Sequence, residues 1–416
     1  MKKITILLLS LSLALIGCNK KKDDKKPEEV KKPANSAQPE KPAEDANWVK
    51  AENVKPEDEK IECNYGACKL SVVTKKVKEE IEKQKDYEKL ELQFREGVGN
   101  DFFKTVANLP WATKVQISYT KIDTLEPLAK LTKLEELKAA SLKWDDDKEN
   151  KKRLSLKPLA GLKNLKQLTF YGTHVSDVDA LAEAVNLTQI NFYMSEVESI
   201  KFAEKLVNLE DFDLYACPVT DLAPLANLTK LKKLNLYMNK ATDFSVLAKL
   251  TELDDVWLQF TTFADMNLLA NAKKMKSLSL SWLKGELKDI EAVKNMTELE
   301  NLSLNSLPVE KIDALAECKK LQRIDLGGTK IKDIKALKEL TALTSVTISK
   351  TAVSDLSPLA KAENLWSLDI NGTKVKSLGP IMKLTKLRSL TVSKGFPKGE
   401  IAKIKKAMPE LNVNER

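Results

Sequence analysis

Four of the seven tyrosines in this 416-residue chain lie 22 residues apart, at Tyr171, Tyr193, Tyr215 and Tyr237. If each period of 22 residues supplies one strand, equivalent residues lie about 4.8 Å apart on neighbouring strands, and the four rings form one ladder about 15 Å long. Tyrosine offers a large, rigid contact surface with a polar tip, and it is enriched at binding hot spots. The spacing therefore predicts a surface that recognises a partner.

Further side chains suited to recognition accompany the tyrosines. Trp257 and Trp282 add aromatic surface, whereas Met194, Met238 and Phe260 occupy a position after the strand that suits either surface or core. Two alternatives to partner binding through the rings stay open: they only stack on one another, or they stack on sugars. Polar residues that alternate with buried ones share the exposed face of a strand, and here they would set specificity: Asp211, Asp213, Lys233, Asn235 and Asp255.

The sequence contains no pattern typical of catalysis, cofactor binding or a metal site. Its one histidine is His174, and it lacks a Gly-rich phosphate loop, a Gly-x-Ser-x-Gly turn and the His/Cys spacing of metal ligands. We therefore expect no enzyme activity, no cofactor and no metal. The formal net charge of +9 is spread over scattered lysines without an aromatic stripe, so nucleic acid is not an expected partner.

One repeated unit positions these residues, and it is clearest in Leu228–Lys249, LTKLKKLNLYMNKATDFSVLAK. Counting its first Leu as position 1, the alternation of Leu234 and Leu236 at positions 7 and 9 predicts a short strand with two inward side chains. Positions 6, 8 and 10 then face outward. Asn239 at position 12 can bond the backbone at the following corner, and Asp243 can cap a 3₁₀ turn. One unit cannot bury its own apolar edge, so it must stack on copies of itself.

This unit recurs along most of the chain at intervals of 22 residues, except for 31 residues after Leu131 and 24 after Ala272. The longer insertion, around LKWDDDKENKKR, is expected to be a charged loop at the edge of the stack. About thirteen units fill residues 109–400, and they begin at Leu109, Leu131, Leu162, Ala184, Leu206, Leu228, Leu250, Ala272, Met296, Cys318, Leu340, Ala362 and Leu384.

The pattern resembles the bacterial leucine-rich repeat family, in particular its internalin-like class, over roughly residues 91–413. The resemblance implies an α/β fold: a leucine-rich repeat solenoid with a parallel β-sheet on its concave face, short helices or 3₁₀ turns on its convex face, and a cap at each end. Cys217 and Cys318 fall at corner and core positions and are expected to be buried thiols. Threonine replaces the consensus Asn of position 12 in several units, where its hydroxyl can still bond the backbone: Thr173, Thr261, Thr329, Thr351 and Thr373.

The N-terminus reads as an export signal. Residues 1–17 join two lysines to an apolar segment too short to span a bilayer, and Leu15–Cys18 (LIGC) resembles the lipobox of bacterial lipoproteins. The resemblance implies cleavage before Cys18 and acyl chains, palmitate among them, on that residue. The protein is thus expected in the bacterial cell envelope, at the outer membrane or cell surface. Residues 18–60, rich in Lys, Glu and Pro, are expected to be a disordered tether.

The ends of the stack need caps. Residues 61–108 are expected to form an N-terminal cap with an irregular first repeat, including an amphipathic helix over Val73–Tyr87. In an exported protein Cys63 and Cys68 are expected to form a disulfide, with two reduced thiols as the alternative. Residues 401–416 are expected to form the C-terminal cap.

Taken together, these features predict a monomeric, membrane-anchored protein-binding module that recognises a macromolecule through the concave face of its solenoid. A carbohydrate-binding surface lipoprotein and a structural spacer of the envelope are the alternatives. The identity of the partner, and whether the protein faces the periplasm or the exterior, stay open.

Overall fold

A computed structural model describes residues 61–64, 67–70, 72–83, 90–94, 98–142 and 152–416. The predicted signal peptide, Cys18, the tether and most of the charged insertion lie outside the described residues. Those that are described form a stack of repeats, each contributing one strand and one short turn.

In chain order the strands are β1 Glu62–Asn64, β2 Ala67–Leu70, β3 Glu91–Phe94, β4 Lys114–Ser118, β5 Glu136–Ala140, β6 Leu154–Ser155, β7 Gln167–Tyr171, β8 Val175–Ser176, β9 Gln189–Asn191, β10 Asp211–Asp213, β11 Lys233–Asn235, β12 Asp255–Trp257, β13 Ser277–Ser279, β14 Asn301–Ser303, β15 Arg323–Asp325, β16 Ser345–Thr347, β17 Ser367–Asp369, β18 Ser389–Val392 and β19 Asn412–Glu415. Strands β6 and β8 pair with each other in a small separate sheet. The remaining seventeen described strands form one sheet in chain order. Its first pairing, β1 with β2, is antiparallel, and the pairings between later consecutive strands are parallel.

Three α-helices and a series of 3₁₀ turns complete the described fold. The helices are α1 Lys75–Glu82, α2 Asn100–Phe103 and α3 Lys398–Ala407. A long parallel sheet with a 3₁₀ turn in each repeat confirms the predicted solenoid. The turns are Lys104–Asn108, Glu126–Lys130, Lys157–Leu159, Val178–Glu183, Lys201–Lys205, Ala223–Asn227, Ser245–Lys249, Met266–Leu269, Glu291–Asn295, Asp313–Glu317, Lys335–Leu337, Ser357–Leu359 and Gly379–Ile381.

The core follows from the alternation in each strand. In β11, Leu234 is fully buried and pairs in register with Phe212 of β10 and Val256 of β12, which are also fully buried. Lys233 and Asn235 on either side of it point outward, one exposed and one half-buried. Repetition of this pattern produces one continuous apolar core along the stack.

The corner and turn residues act as the repeat pattern predicted. The Asn239 side chain donates to a backbone oxygen of the preceding repeat at 3.1 Å and accepts the N–H two residues later, also at 3.1 Å. In a threonine unit, the hydroxyl of Thr261 donates to the backbone oxygen three residues before it, at 2.6 Å. Asp243 accepts the backbone N–H of Ser245 at 2.8 Å, at the start of its 3₁₀ turn. These bonds satisfy backbone groups that the sharp corners remove from the sheet.

The N-terminal cap contains the expected disulfide, since Cys63 in β1 is bonded to Cys68 in β2 at an S–S distance of 2.11 Å. The helix is shorter than predicted. It begins at Lys75 because the hydroxyl of Thr74 accepts the N–H of Val77 and caps it. It ends at Glu82, and residues 84–87 of the predicted span lie outside the described residues.

At the other end, α3 begins before the predicted boundary at residue 401 and buries Ile404. Strand β19 then pairs parallel with β18 as a last strand of the sheet. The end of the predicted cap therefore belongs to a strand, and α3 lies in the crossover that leads to it.

Candidate binding surface

The side chains at positions 6, 8 and 10 point away from the core and form what we call the open face of the sheet. The tyrosine ladder, meaning Tyr171, Tyr193, Tyr215 and Tyr237, lies on this face at position 10 of four consecutive units. Successive ring centroids are 4.4, 4.1 and 4.3 Å apart, with interplanar angles of 4°, 11° and 9°. Both flat faces of the two middle rings are therefore covered by neighbouring rings. The ladder presents ring edges and hydroxyl groups to its surroundings.

Burial also affects the chemistry of these hydroxyls. It raises the pKa of Tyr171, Tyr193 and Tyr215 above the usual value, while hydrogen bonds between neighbouring hydroxyls raise it in some cases and lower it in others. The hydroxyls therefore stay protonated at neutral pH and can donate hydrogen bonds. Tyr171, at the end of the ladder, is 46% exposed, whereas the other three rings are half-buried.

The aromatic surface continues past the ladder. The ring of Phe260 meets Tyr237 edge-on at 5.2 Å, and Trp282 stacks on Phe260 at 5.6 Å. Trp282 is 50% exposed, while Trp257 lies half-buried on β12. The two tryptophans thus extend the surface of the tyrosine ladder toward β13, as their register predicted.

A second row of exposed side chains runs beside the ladder at position 11, where the strand turns its corner. In every unit but the last the backbone there is left-handed, with φ from 49° to 63° where the residue is not glycine. Glycine takes the same conformation in three units, at Gly172, Gly328 and Gly372. We call the bulky members of this row the corner residues: Tyr119, Met194, Met238, Phe260 and Trp282.

The corner residues answer a question that the sequence left open. Met194 and Met238 are 49% and 52% exposed, so both belong to the surface and not to the core. Phe260 is half-buried between two other rings. Sequence reasoning missed Tyr119, which is 53% exposed at the same position of the first unit. Its register within the repeat was the signal that could have found it.

Side chains at position 8 accept hydrogen bonds from the backbone N–H groups of the ladder residues and hold that backbone in place. The N–H of Tyr215 donates to Asp213 at 2.8 Å, and the N–H of Tyr237 donates to Asn235 at 3.0 Å. Asp325 accepts from Gly327 in the same way at 2.9 Å, where no tyrosine is present. This bond is therefore part of the scaffold. Asp213 and Asn235, which the sequence predicted as partner-binding residues, lie on the open face, and each also has a structural role.

The acidic side chains of the open face are poorly solvated. Burial raises the pKa of Asp211 and Asp213 above the usual value. Burial likewise raises the pKa of Asp255 to about 6, with further increases from Asp254 and Asp211. Lys233, exposed at position 6 between Asp211 and Asp255, lowers the pKa of both. All five polar residues predicted from the sequence thus come together on β10, β11 and β12.

Other kinds of site find no support in the described part of the chain. No group of three or more His, Cys, Asp or Glu side chains there is arranged to hold a metal ion. The free thiols of Cys217 and Cys318 are buried, and burial raises the pKa of each to about 11. None of the described helices has the length and apolar character needed to cross a bilayer.

Comparison with known proteins places this geometry in a wider context. No protein-family model matches the sequence, and no curated protein matches it. An internalin, InlF, of Listeria monocytogenes matches in structure with a TM-score of 0.63 at 23% identity, covering 73% of this chain and 86% of that one. A leucine-rich repeat protein of Leptospira interrogans matches with a TM-score of 0.65 at 19% identity, covering 83% and 93%. The chain has the leucine-rich repeat fold.

A third match comes from plants. The peptide hormone receptor RGFR1, in complex with RGF2, matches this leucine-rich repeat chain with a TM-score of 0.53 at 16% identity, covering 78% of this chain and 61% of that one. At these identities the likeness concerns the fold. In a leucine-rich repeat solenoid the sheet lines the concave side, so the open face described above is the concave face.

The concave face of this leucine-rich repeat solenoid divides into two halves. We call the open face of β7–β12, with the corner residues Met194 to Trp282 beside it, the aromatic half, and the open face of β14–β18 the polar half. Small polar residues fill the polar half, among them Ser303, Asn305, Ser345 and Ser367. Its exposed aromatic is Trp366, which is 57% exposed and lies at the edge of β17.

Proposed function

We propose that this chain is a monomeric, lipid-anchored protein of the bacterial cell envelope that binds a protein partner, without catalysis, through its aromatic half. The observation that carries the proposal is the band of apolar side chains formed by the tyrosine ladder and the adjacent corner residues. A contiguous exposed apolar surface of this kind usually marks an interaction site. Tyr and Trp are also the residues that most often dominate binding energy.

The corner residues support the proposal because they are costly to the fold. A left-handed backbone costs a residue with a side chain about 1–2 kcal/mol, whereas glycine adopts it freely. Three units of this chain use glycine at the corner, so the fold does not require a bulky residue there. Met238 and Trp282 accept the cost with half their surface in water. Such residues contribute little to the core and are suited to contact with another molecule.

A protein partner fits the ladder better than a carbohydrate does. Stacking on a sugar requires a free ring face, and both faces of Tyr193 and Tyr215 are covered. Ring edges and protonated hydroxyls instead suit hydrogen bonds and edge contacts with polypeptide groups. A peptide hormone receptor of the same fold, in complex with RGF2, is consistent with a polypeptide ligand.

Membrane anchoring is proposed on the sequence alone. The LIGC sequence ending at Cys18 follows an apolar export segment, and a lipid on that residue would tether the solenoid through residues 18–60. In cells given a palmitate analogue, the chain should become labelled and enter the membrane fraction, whereas a Cys18→Ser variant should do neither. An unlabelled parent chain would contradict the anchor and leave the binding proposal in place.

Binding is tested by capture of envelope proteins with the full chain and with a variant that carries all four Tyr→Ala changes of the ladder. Trp366→Ala is the control, because it removes an exposed aromatic side chain from outside the aromatic half. We expect one partner to be retained by the parent and by the control and lost by the ladder variant. Circular dichroism should show that all three proteins are folded.

Equal capture by the ladder variant would contradict the proposal. Release of the partner by soluble glycans would favour the carbohydrate alternative. If neither the parent nor the control retains any partner, the spacer alternative is favoured.

A further inference from the structure

The open face of β10–β12 carries an excess of negative side chains. Lys233 is the one positive side chain on the open face of these three strands. Nearby, Glu210 and Lys232 form an ion pair at 2.7 Å, so their charges offset each other. We call the acidic patch the four carboxylates on these strands and at their edge: Asp211, Asp213, Asp254 and Asp255. Although the whole chain has a formal charge of +9, charges farther than about 8 Å are largely screened at physiological ionic strength. The local sign is therefore what an approaching group senses.

Three buried oxygen atoms in and beside this patch lack donors, although Ser277 hydrogen-bonds the Asp255 carboxylate. The Oδ1 atoms of Asp254 and Asp255 and the Oε1 atom of Gln259 are buried and have no hydrogen-bond partner among the described residues. An unsatisfied buried acceptor costs about 1–3 kcal/mol. All three side chains are partly exposed as a whole, so these oxygens lie close to the surface of the open face. The segment therefore offers three unpaired acceptor oxygens to donors from another molecule.

An aromatic ring stands next to these acceptors. Trp257 follows Asp255 by two residues on the same face of β12, and its neighbours in register are Asn235 and Ser279. No aromatic ring of the described residues stacks on it, in contrast to the tyrosines. Arginine can supply the hydrogen-bond donors, the positive charge and the stacking partner that these side chains lack. Its flat guanidinium has five N–H donors, pairs with carboxylates and stacks on aromatic faces.

We propose that the protein partner docks through a basic segment, one arginine of which lies beside Trp257 between Asp211 and Asp255. This inference rests on the proposed function and specifies the chemistry of its partner. In the free protein Lys233 occupies the gap between these two carboxylates and serves as their counter-ion. The incoming arginine takes its place, so Lys233 opposes binding while the aspartates favour it.

The test uses two synthetic peptides of equal length, an arginine–glycine–serine repeat and a glutamate–glycine–serine repeat, titrated into the full chain by calorimetry. The arginine peptide should bind and the glutamate peptide should not. Asp211→Asn and Asp255→Asn should each weaken binding about tenfold, which corresponds to about 1.4 kcal/mol. Lys233→Met should tighten it. Asp369→Asn, which changes an open-face carboxylate of the polar half, is the matched control and should leave affinity unchanged.

Opposite effects of the aspartate and lysine variants are the signature of the proposed site. Equal binding by parent and Asp255→Asn, or weaker binding by Lys233→Met, would overturn the inference. The same variants are then used in the envelope capture. A partner that depends on the tyrosine ladder but is indifferent to Asp211→Asn and Asp255→Asn would overturn the basic segment alone, and the proposed function would stand.

Discussion

The aromatic and polar halves of the concave face share one scaffold and carry different surfaces. In the aromatic half Asp213 accepts the N–H of Tyr215 at 2.8 Å, and in the polar half Asp369 accepts the N–H of Asn371 at 2.9 Å. The corner bonds and the Asp caps of the 3₁₀ turns likewise recur in both halves. Because the scaffold bonds are the same, folding does not require the surfaces to differ. The difference points to binding.

The two surfaces also differ in whether their polar side chains have hydrogen-bond partners within the protein. In the polar half, Asn305 donates to both carboxylate oxygens of Asp325 at 3.2 Å. Gly327 lies so close to them that an added Cβ would be 2.8 Å from the Asn305 side chain. These polar side chains of the polar half therefore use one another as hydrogen-bond partners. The aromatic half leaves acceptors of Asp255 and Gln259 without donors and apolar side chains in water.

The largest effect should be the same in both halves, because the core beneath them is the same. Leu234→Asp in the aromatic half and Leu368→Asp in the polar half each place a charge at a fully buried position. We expect each to lower the free energy of unfolding by about 4 kcal/mol or more, measured as a loss of thermal stability. A mild effect at either site would show that the repeat register assigned there is wrong.

Substitutions at position 10 should affect stability in the aromatic half and not in the polar half. Tyr215→Ala removes two stacking contacts, each worth about 0.5–1.5 kcal/mol, so unfolding should become easier by about 1–3 kcal/mol. Ser349→Ala, at the equivalent position of the polar half, should change stability little. A double-mutant cycle of Tyr193→Ala and Tyr215→Ala, measured by urea unfolding, gives the interaction free energy between the two rings. An additive cycle would mean that the rings do not support one another.

Corner substitutions should separate stability from binding. Met238→Gly and Lys350→Gly each relieve a left-handed backbone and should stabilise the protein by about 1 kcal/mol. Only Met238→Gly should weaken partner capture, since it removes an exposed apolar side chain from the aromatic half. Equal capture by both variants would remove the corner residues from the binding surface.

The smallest effect concerns pH. Burial, Asp254 and Asp211 raise the native pKa of Asp255 to about 6, while a hydrogen bond with Ser277 and the charge of Lys233 act against them. Asp255 therefore stabilises the native state fully only below its unfolded pKa, and this contribution is lost as the pH rises through about 6. Asp255→Asn should then raise stability at pH 7.5 by about 1 kcal/mol, since partial exposure reduces the full value of the shift, and should give no gain at pH 4.

A carboxylate with the opposite shift serves as the control for this measurement. Hydrogen bonds from Ser245 lower the pKa of Asp243, so this group stabilises the native state above its unfolded pKa. Asp243→Asn should lower the melting temperature at pH 7.5 and have less effect at acid pH. The same sign for both variants would contradict the assigned environments.

Much of the fold was predictable because the 22-residue period sets the strand register directly. Tyr171 and Tyr237 had to lie on one row once their strands were parallel and in step. The position-12 and turn-capping bonds were predictable for the same reason, since Asn239 and Asp243 have few backbone groups within reach. Periodicity was less informative at the ends, where Thr74 moves a helix boundary and β19 joins the sheet.

The chemistry of the surface was less accessible from the sequence. Stacking of the rings depends on side-chain rotamers, which a repeat pattern does not specify. The exposure of Met194 and Met238 follows from a left-handed corner that is more often a glycine conformation. The pKa of Asp255 depends on burial and on charges from neighbouring strands, so it required the assembled sheet.

A partner that contacts the aromatic half and not the polar half lies within reach of side chains on the ladder row of the aromatic half alone. A photo-crosslinking amino acid placed at Gln259, beside Tyr237 on the ladder row, is compared in living cells with one at Ser349, on the same row of the polar half. We expect a covalent adduct with a protein partner from Gln259 and none from Ser349. An adduct from Ser349 alone, or equal adducts from both, would contradict this expectation.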